Sequence, residues 1–252
     1  MGTYKVFNGT DWVNICDCQV RIRNASNNWQ LLDPTNCVTK YWTGTEWCEV
    51  TCTPPLPPCE CVDGQVAIGS RIWKCSNLNV STYRNGDVIP QVTDPAVWIT
   101  LTTGAWCYYN NDPSTEAVYG KLYNHFAVRD SRGLAPTGWH VPTNTEWDTL
   151  VSYLEGIGPG DAGGKLKEVG TANWNSPNTE ATNSSCFTAV PGGRREFTVG
   201  AFSDINTIAY YWTSSIVNLD RGAARILQFD NSYVTYGSLA FESACSVRII
   251  KD

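Results

Sequence analysis

The chain has 252 residues, of which 42% are hydrophobic and 17% charged, with 11 Trp, 12 Tyr, 21 Gly, 11 Cys, 2 His and a formal net charge of −6 at pH 7. That apolar content is enough for a core and excludes wholesale disorder, while no apolar run approaches the ~20 residues of a membrane-spanning helix, so no membrane insertion is expected. The 18 Lys and Arg are scattered and form no basic stripe, which excludes nucleic acid as a partner, and few charges beside many Trp, Tyr, Gly and Asn suit recognition better than metabolism.

Eight of the eleven cysteines fall in the first 75 residues. Such density means disulfides outside a cell or a zinc site inside one. Residues 1–7 show neither a basic n-region nor an apolar h-region, so no secretion signal is read there. Cys16-Asp17-Cys18 and Cys59-Glu60-Cys61 lack the spacing zinc prefers, which only the Cys48 to Cys52 interval meets. Disulfide, zinc and free thiol all stay open for this segment.

A repeat follows in chain order. Phe7-Asn8-Gly9-Thr10-Asp11-Trp12, Arg23-Asn24-Ala25-Ser26-Asn27-Asn28-Trp29 and Trp42-Thr43-Gly44-Thr45-Glu46-Trp47 each place a turn signal between β-rich runs, with Trp opening the second run. A lone hairpin is marginal in water, so three must pack, cross-link or associate between chains. Residues 1–53 are therefore expected to form a cysteine-rich β-hairpin module for attachment or oligomerisation. Pro54-Pro55-Leu56-Pro57-Pro58 enforces an extended polyproline conformation, and residues 54–61 read as a stiff linker.

Residues 62–252 read as the second domain. Val66-Ala67-Ile68-Gly69 with Arg71-Ile72-Trp73 predicts one hairpin, and Tyr83-Arg84-Asn85-Gly86-Asp87-Val88-Ile89-Pro90 a second. Helices are expected over 117–128, with Leu122, Tyr123 and Phe126 on one face, and over 143–155. The latter opens with the capping box Thr143-Asn144-Thr145-Glu146 and spaces Trp147, Leu150, Val151 and Leu154 helically. Short strands are expected from Phe187, Tyr211, Ala223 and Ser246, closing a small twisted antiparallel sheet. Two helices followed by long loops and β pairing describe an α+β domain.

Chemistry has little to work with. The sequence contains no His-Glu-x-x-His, no Gly-x-Ser-x-Gly elbow and no phosphate-binding Gly-x-x-x-x-Gly-Lys loop. His140, behind Gly138-Trp139, reads as a structural histidine. Calcium at Asn110-Asn111-Asp112 would lack a full acidic ligand set. No catalytic residue, no metal and no cofactor are expected.

Several motifs together resemble the Fibrobacter succinogenes major paralogous domain family. They run from Ile68-Gly69-Ser70-Arg71-Ile72-Trp73 through Tyr83-Arg84-Asn85-Gly86-Asp87 and Leu134-Ala135-Pro136-Thr137-Gly138-Trp139-His140-Val141-Pro142-Thr143. They continue with Gly163-Gly164-Lys165-Leu166-Lys167-Glu168, Trp174-Asn175-Ser176-Pro177-Asn178, Tyr211-Trp212-Thr213-Ser214-Ser215 and Ser246-Val247-Arg248. The resemblance covers about three quarters of the chain. It implies a C-type-lectin-like fold, related to formylglycine-generating enzymes and to retroelement-diversified variable proteins such as phage tropism determinants. In those variable proteins a C-terminal stretch, here 212–252, displays ligand-contacting side chains on a fixed scaffold. The implied ligand-binding residues are Asn218, Asp220, Arg221, Asp230, Asn231, Ser232, Tyr233, Tyr236, Ser238 and Glu242, with Leu219 among them in the loop.

The implied role is a non-enzymatic recognition or adhesion protein: a phage virion fibre or receptor-binding component, homotrimeric, that meets a host cell-surface glycan or protein and joins other virion proteins through its N-terminal module. The alternative is a secreted or surface adhesin of bacteria; an enzyme of the formylglycine-generating type ranks lower, because Cys186 and Cys245 fit neither of its late cysteine positions. The family commonly has an aromatic residue at His125, Gly at Cys186 and Phe at Cys245. The last two replacements suggest either a Cys186–Cys245 disulfide or two small buried hydrophobes.

Overall fold

The computed structural model describes residues 60–155 and 160–252 in full, and before them the backbone of 5–7, 12–14, 21–23, 29–31, 38–42 and 47–51. Two units divide the chain, Met1–Pro58 and Cys59–Asp252. In the first, β1 (Lys5–Phe7) pairs with β2 (Trp12–Asn14), β3 (Arg21–Arg23) with β4 (Trp29–Leu31), and β5 (Val38–Trp42) with β6 (Trp47–Thr51). All three pairs are antiparallel, and Trp12, Trp29 and Trp47 stand opposite Phe7, Arg23 and Trp42 at the turn ends. The turns, the proline run and Cys16, Cys18, Cys37, Cys52 and Cys59 lie outside the described residues, as do the zinc and disulfide readings that fall on them.

The second unit mixes short helices with two largely antiparallel sheets. It opens with β7 (Gln65–Ile68) and β8 (Arg71–Lys74), paired through a turn in which Gly69 adopts φ +62°. The Tyr83 to Pro90 segment forms a turn with one bridge, Thr82 to Val88, in place of a hairpin ladder. Then come α1 (Pro95–Trp98), β9 (Trp106–Cys107), α2 (Glu116–Tyr119), β10 (Leu122–Asn124) and α3 (His125–Val128). They are followed by β11 (Trp139–His140), α4 (Asn144–Glu155) and α5 (Ala162–Leu166).

The helix expected over 117–128 is thus broken. Gly120 takes φ 68°, ψ −150°, which ends α2. Leu122 and Tyr123 then enter a strand that pairs with Cys107 and Trp106 on one side and, through Tyr123, with Cys245 on the other. A central strand buried on both faces has no alternation to show, so its apolar run mimics a helical face. The helix at 143–155 forms as its capping box dictates: Thr143 N–H donates to Glu146 Oε2 at 2.9 Å and Glu146 N–H to Thr143 Oγ1 at 3.2 Å.

The remaining strands are β12 (Gly192–Arg195), β13 (Phe202–Ile205), β14 (Ile208–Ile216), β15 (Arg221–Gln228), β16 (Thr235–Ala240), β17 (Ala244–Cys245) and β18 (Ile250–Lys251). The larger sheet runs β16-β15-β14-β12-β17-β10-β9, with β13 on β12; the smaller runs β11-β18-β8-β7. Phe187 is not in a strand, and Ser246 contributes only a bridge to Tyr211. Both were expected to start strands, but the family motifs around them mark packing positions, which carry no β periodicity.

Strand β14 separates two cores. Ala209 and Tyr211 point into a cluster with Trp73, Trp147, Leu150, Phe187 and Leu227, while Tyr210 and Trp212 point into one with Trp106, Tyr123, Leu134, Ala224 and Val247. This is the two-residue alternation of a strand covered on both faces. Trp147 of α4 meets Trp73 at 5.2 Å and Phe187 at 5.6 Å edge-on, and Tyr211 at 5.6 Å in a tilted pair, between ring centroids, so α4 closes the first core with aromatic contacts.

Three cations are buried under this framework. Arg248 Nη1 donates to Lys74 O at 2.9 Å and to Phe187 O, and its Nη2 to Asn77 Oδ1 at 2.9 Å and Thr188 O at 3.3 Å. Arg195 donates at 2.8 Å to each of Gly200 O, Val92 O and Thr93 O. Lys167 Nζ donates to Thr179 O at 2.9 Å, Gln228 O at 3.1 Å and Asn231 O at 2.8 Å. All three are 0% exposed, and among the described residues none has a carboxylate within ion-pair distance. Backbone carbonyls, each carrying a partial negative charge, take the place of water around these charges.

Replacing Trp147 by Ala is expected to cost roughly 3–5 kcal/mol, the range for losing a large aromatic from a closed core. Val169→Ala, at a position 58% exposed, should stay within about 0.5 kcal/mol of the parent. Urea denaturation of the full chain checks both.

Candidate functional site

Strands β14, β15 and β16 form a meander in continuous register, Ile208 opposite Gln228, Arg221 opposite Ala240 and Ile226 opposite Thr235. Its two connecting turns therefore stand at opposite ends. The turn 217–220 is closed by Val217 N–H to Arg221 O at 2.9 Å, Asp220 N–H to Asn218 Oδ1 at 3.1 Å and Phe241 N–H to Asp220 O at 2.9 Å. Beside it, Arg221 Nε donates to Ser238 Oγ at 3.2 Å, and Glu242 O accepts from Trp98 Nε1 at 2.7 Å. Asn218, Asp220, Arg221, Ser238 and Glu242 are brought together here.

The same end carries an apolar group of which sequence reasoning named only Leu219. Leu219 is 100% exposed at the tip, with Ile216 at 55% and Val217 at 44%. The signal was readable: three apolar residues in four, Ile216-Val217-Asn218-Leu219, at a position expected to be a loop. The paralogous-domain motifs drew attention to polar residues instead.

The other turn, 229–234, gathers Asp230, Asn231, Ser232 and Tyr233, and its polar groups serve the fold. Ser232 Oγ donates to Gly160 O at 2.8 Å, Asn231 Nδ2 to Gln228 Oε1 at 2.9 Å, and Tyr233 N–H to Asn231 Oδ1 at 3.0 Å. Asn231 O belongs to the Lys167 cradle. Burial pushes the Lys167 ammonium down to about 8, against the pull of Asp230 and Glu180. A Cβ on Gly163 would lie 2.4 Å from Tyr233 O, so glycine there lets the turn approach α5. Tyr233 stays exposed. Tyr236 lies on β16 between the two ends, exposed, with the Arg225 guanidinium 5.6 Å from its ring. The ten residues thus form two groups at opposite ends of a meander, with Tyr236 between them.

Behind the 217–220 turn sits His125. Its ring stacks on Phe241 at 5.0 Å and 11°, meets Trp212 edge-on at 4.8 Å, and its Nε2 lies 3.1 Å from Thr213 O. A Cβ on Gly222 would come within 2.3 Å of this ring, so the start of β15 requires glycine. Burial pushes the imidazole down to about 4; the Thr213 carbonyl opposes this and the Arg129 charge adds to it. His125 N–H in turn donates to Phe241 O at 2.8 Å, and Phe241 N–H to Asp220 O at 2.9 Å, which ties the histidine to the turn.

His140 does a different job, bridging Asp252 Oδ1 at 2.7 Å and Glu146 Oε1 at 3.1 Å between β11, α4 and the end of β18. Asp112 Oδ1 accepts from Ser114 N–H at 2.9 Å and caps a short helical turn. Among the described residues, no three His, Cys, Asp or Glu converge in a way that could hold a metal.

The cysteines correct one expectation. Cys61 and Cys75 form a disulfide and Cys186 is also disulfide-bonded, whereas Cys245 is a buried free thiol, as is Cys107. There is no Cys186–Cys245 bond. Cys245 sits opposite Tyr123 inside the larger sheet, while Cys186 packs against the first core, beyond β14. Burial raises the Cys107 thiol to about 12 and Cys245 also well up, so both behave as small hydrophobes.

Comparison with known families gives one match: the family model described as Fibrobacter succinogenes major domain covers residues 66–251. No curated protein and no solved structure matches the chain.

The buried imidazole makes an acid sensitivity measurable. Between pH 6.5 and about 4 the unfolded chain binds the His125 proton and the native chain does not. Stability from this group is therefore full above pH 6.5 and lost as pH falls towards 4, by roughly 3 kcal/mol at most. His125→Phe keeps the stack on Phe241 and should flatten the profile by that amount in urea denaturation from pH 7 to 4.

Proposed function

Because the chain belongs to the Fibrobacter succinogenes major domain family, we propose that its second unit is a C-type-lectin-like recognition domain that binds a surface ligand without catalysis. The contact is made by the 217–220 turn together with Arg221, Ser238 and Glu242. The observation that carries this reading is Leu219, fully exposed on a turn whose backbone is closed by hydrogen bonds, with Ile216 and Val217 half-exposed beside it. Isolated exposed leucines are ordinary. An apolar triplet fixed on a tip and rimmed by Asp220, Arg221 and Glu242 is the layout of an anchor with a polar surround. That layout suits a protein patch better than a bare glycan, whose hydroxyls would find few partners on Leu and Val.

The three N-terminal hairpins fit an attachment module, which supports a fibre-like virion component, trimeric through that module, bound to a host surface. The second reading, a secreted or surface adhesin, is favoured by a specific observation: the Cys61–Cys75 disulfide and the bonded state of Cys186 suit an oxidising compartment.

Labelled full-length protein on host cells tests the contact. Leu219→Asp should weaken binding at least tenfold, about 1.4 kcal/mol, while Tyr233→Ala changes it less than twofold. Loss of binding in Tyr233→Ala with Leu219→Asp unaffected would move the site to the opposite end of the meander.

A further inference from the structure

A cleft of about 260 Å³ opens among the segment after β8, α2 and the segment after α5, lined in part by Asn77, Val118, Glu168, Asn173, Val190 and Arg248. Drug-sized ligands need roughly 300–1,000 Å³, so this volume suits one side chain or a small metabolite. Two of its lining residues are charged, and they differ in what they have left to offer. The Arg248 guanidinium is fully buried: its Nη1 and Nη2 donate to four acceptors, and its Nε, which has no hydrogen-bond partner among the described residues, belongs to a group 5.7 Å from the Tyr211 ring. Asn77 is committed too, donating to Tyr119 O at 2.9 Å and Ser246 Oγ at 3.2 Å while accepting from Arg248.

Glu168 is the exception. Among the described residues its carboxylate receives one donor, Asn173 Nδ2, at 3.1 Å from Oε1 and 2.9 Å from Oε2. An ionised carboxylate accepts at about four positions. Its backbone N–H donates to Ala189 O at 3.0 Å, which fixes the residue at the wall of the cleft. The carboxylate's remaining lone pairs accept from any donor, and most strongly from one carrying positive charge. Ala117, Val118 and Val190 add apolar wall, Val118 being 42% exposed.

An acceptor-only group beside an aliphatic wall matches an ammonium on a methylene stem, because such a side chain buries its stem and keeps its head polar. We infer that this cleft receives a lysine side chain of a partner polypeptide, with the ammonium on Glu168 and the methylenes along Val118 and Val190. An amino sugar would bring the same charge but surround it with hydroxyls that the valines cannot meet. The cleft is built without the 217–220 turn, so this inference stands independently of the contact proposed above.

Isothermal titration of the full chain with Nα-acetyl-lysine methylamide tests it. The expected result is saturable binding at millimolar affinity, weakened at least tenfold by Glu168→Gln, which still accepts from Asn173. Val118→Lys, an exposed rim change that places a competing ammonium at the mouth, should weaken it similarly. Loss of binding by the Nε-acetylated probe and weaker binding of glucosamine complete the expectation. Absence of binding, equal affinity for the acetylated probe, an unchanged affinity in Glu168→Gln, or a preference for glucosamine would each overturn the assignment.

Discussion

Three fully buried cations, Arg195, Arg248 and Lys167, bonded to backbone carbonyls, fix the path of the second unit. Moving a charge from water into a protein interior costs several kcal/mol, and pairing with a carboxylate is the usual remedy. Here the remedy is backbone, and it has a structural consequence. Each cation gathers carbonyls far apart in sequence: Arg195 reaches Val92 and Thr93, Arg248 reaches Lys74, and Lys167 joins Thr179 to Gln228 and Asn231. Segments without a strand ladder have orphan carbonyls that burial would otherwise penalise. One guanidinium or ammonium resolves several of them and fixes several loops.

The aromatic residues complete the arrangement. Arg248 lies 4.2 Å from the Phe187 ring, Arg195 4.5 Å from Trp98 and Lys167 5.5 Å from Trp174. These faces are negative and apolar at once, so they shield the cation from water and still attract it. Among the described residues Trp serves largely as scaffold: Trp73, Trp98, Trp147, Trp174 and Trp212 are all essentially buried. A small sheet with long connections gains its rigidity from these clusters, and the meander turns inherit it. The 229–234 turn is held by Lys167 directly; the 217–220 turn is backed by His125 and Phe241.

Local signals were legible where the physics is local. The capping box at Thr143 and Glu146, the 65–74 hairpin with its glycine turn, and the Trp-punctuated N-terminal repeat are each written within a dozen residues. The family resemblance was legible as well, through motifs that contain Lys167, Glu168 and Arg248. What Lys167 and Arg248 do was not, because all but one of their acceptors, Thr179, arrive from positions some 60 to 170 residues away, and carbonyls leave no mark in a sequence. The interrupted 117–128 helix failed for a related reason, since sheet pairing with Cys107 and Cys245 outweighs a helical apolar spacing once Gly120 turns the chain. The ten candidate residues were named from the sequence, but their division between two ends depends on which strands neighbour which. Nothing in the loop composition encodes that.

If carbonyl geometry, and not positive charge alone, fixes these loops, lysine cannot replace arginine. Lysine brings the same charge but gathers its donors on one atom, as Lys167 does, and cannot reach acceptors set around the separate nitrogens of a planar fork, as those of Arg195 and Arg248 are. Urea denaturation of Arg248→Lys and Arg195→Lys is the direct measurement. The account predicts a loss of roughly 2–4 kcal/mol in each, since charge-assisted hydrogen bonds are broken and buried carbonyls left unpaired. Midpoints equal to that of the parent chain would contradict it.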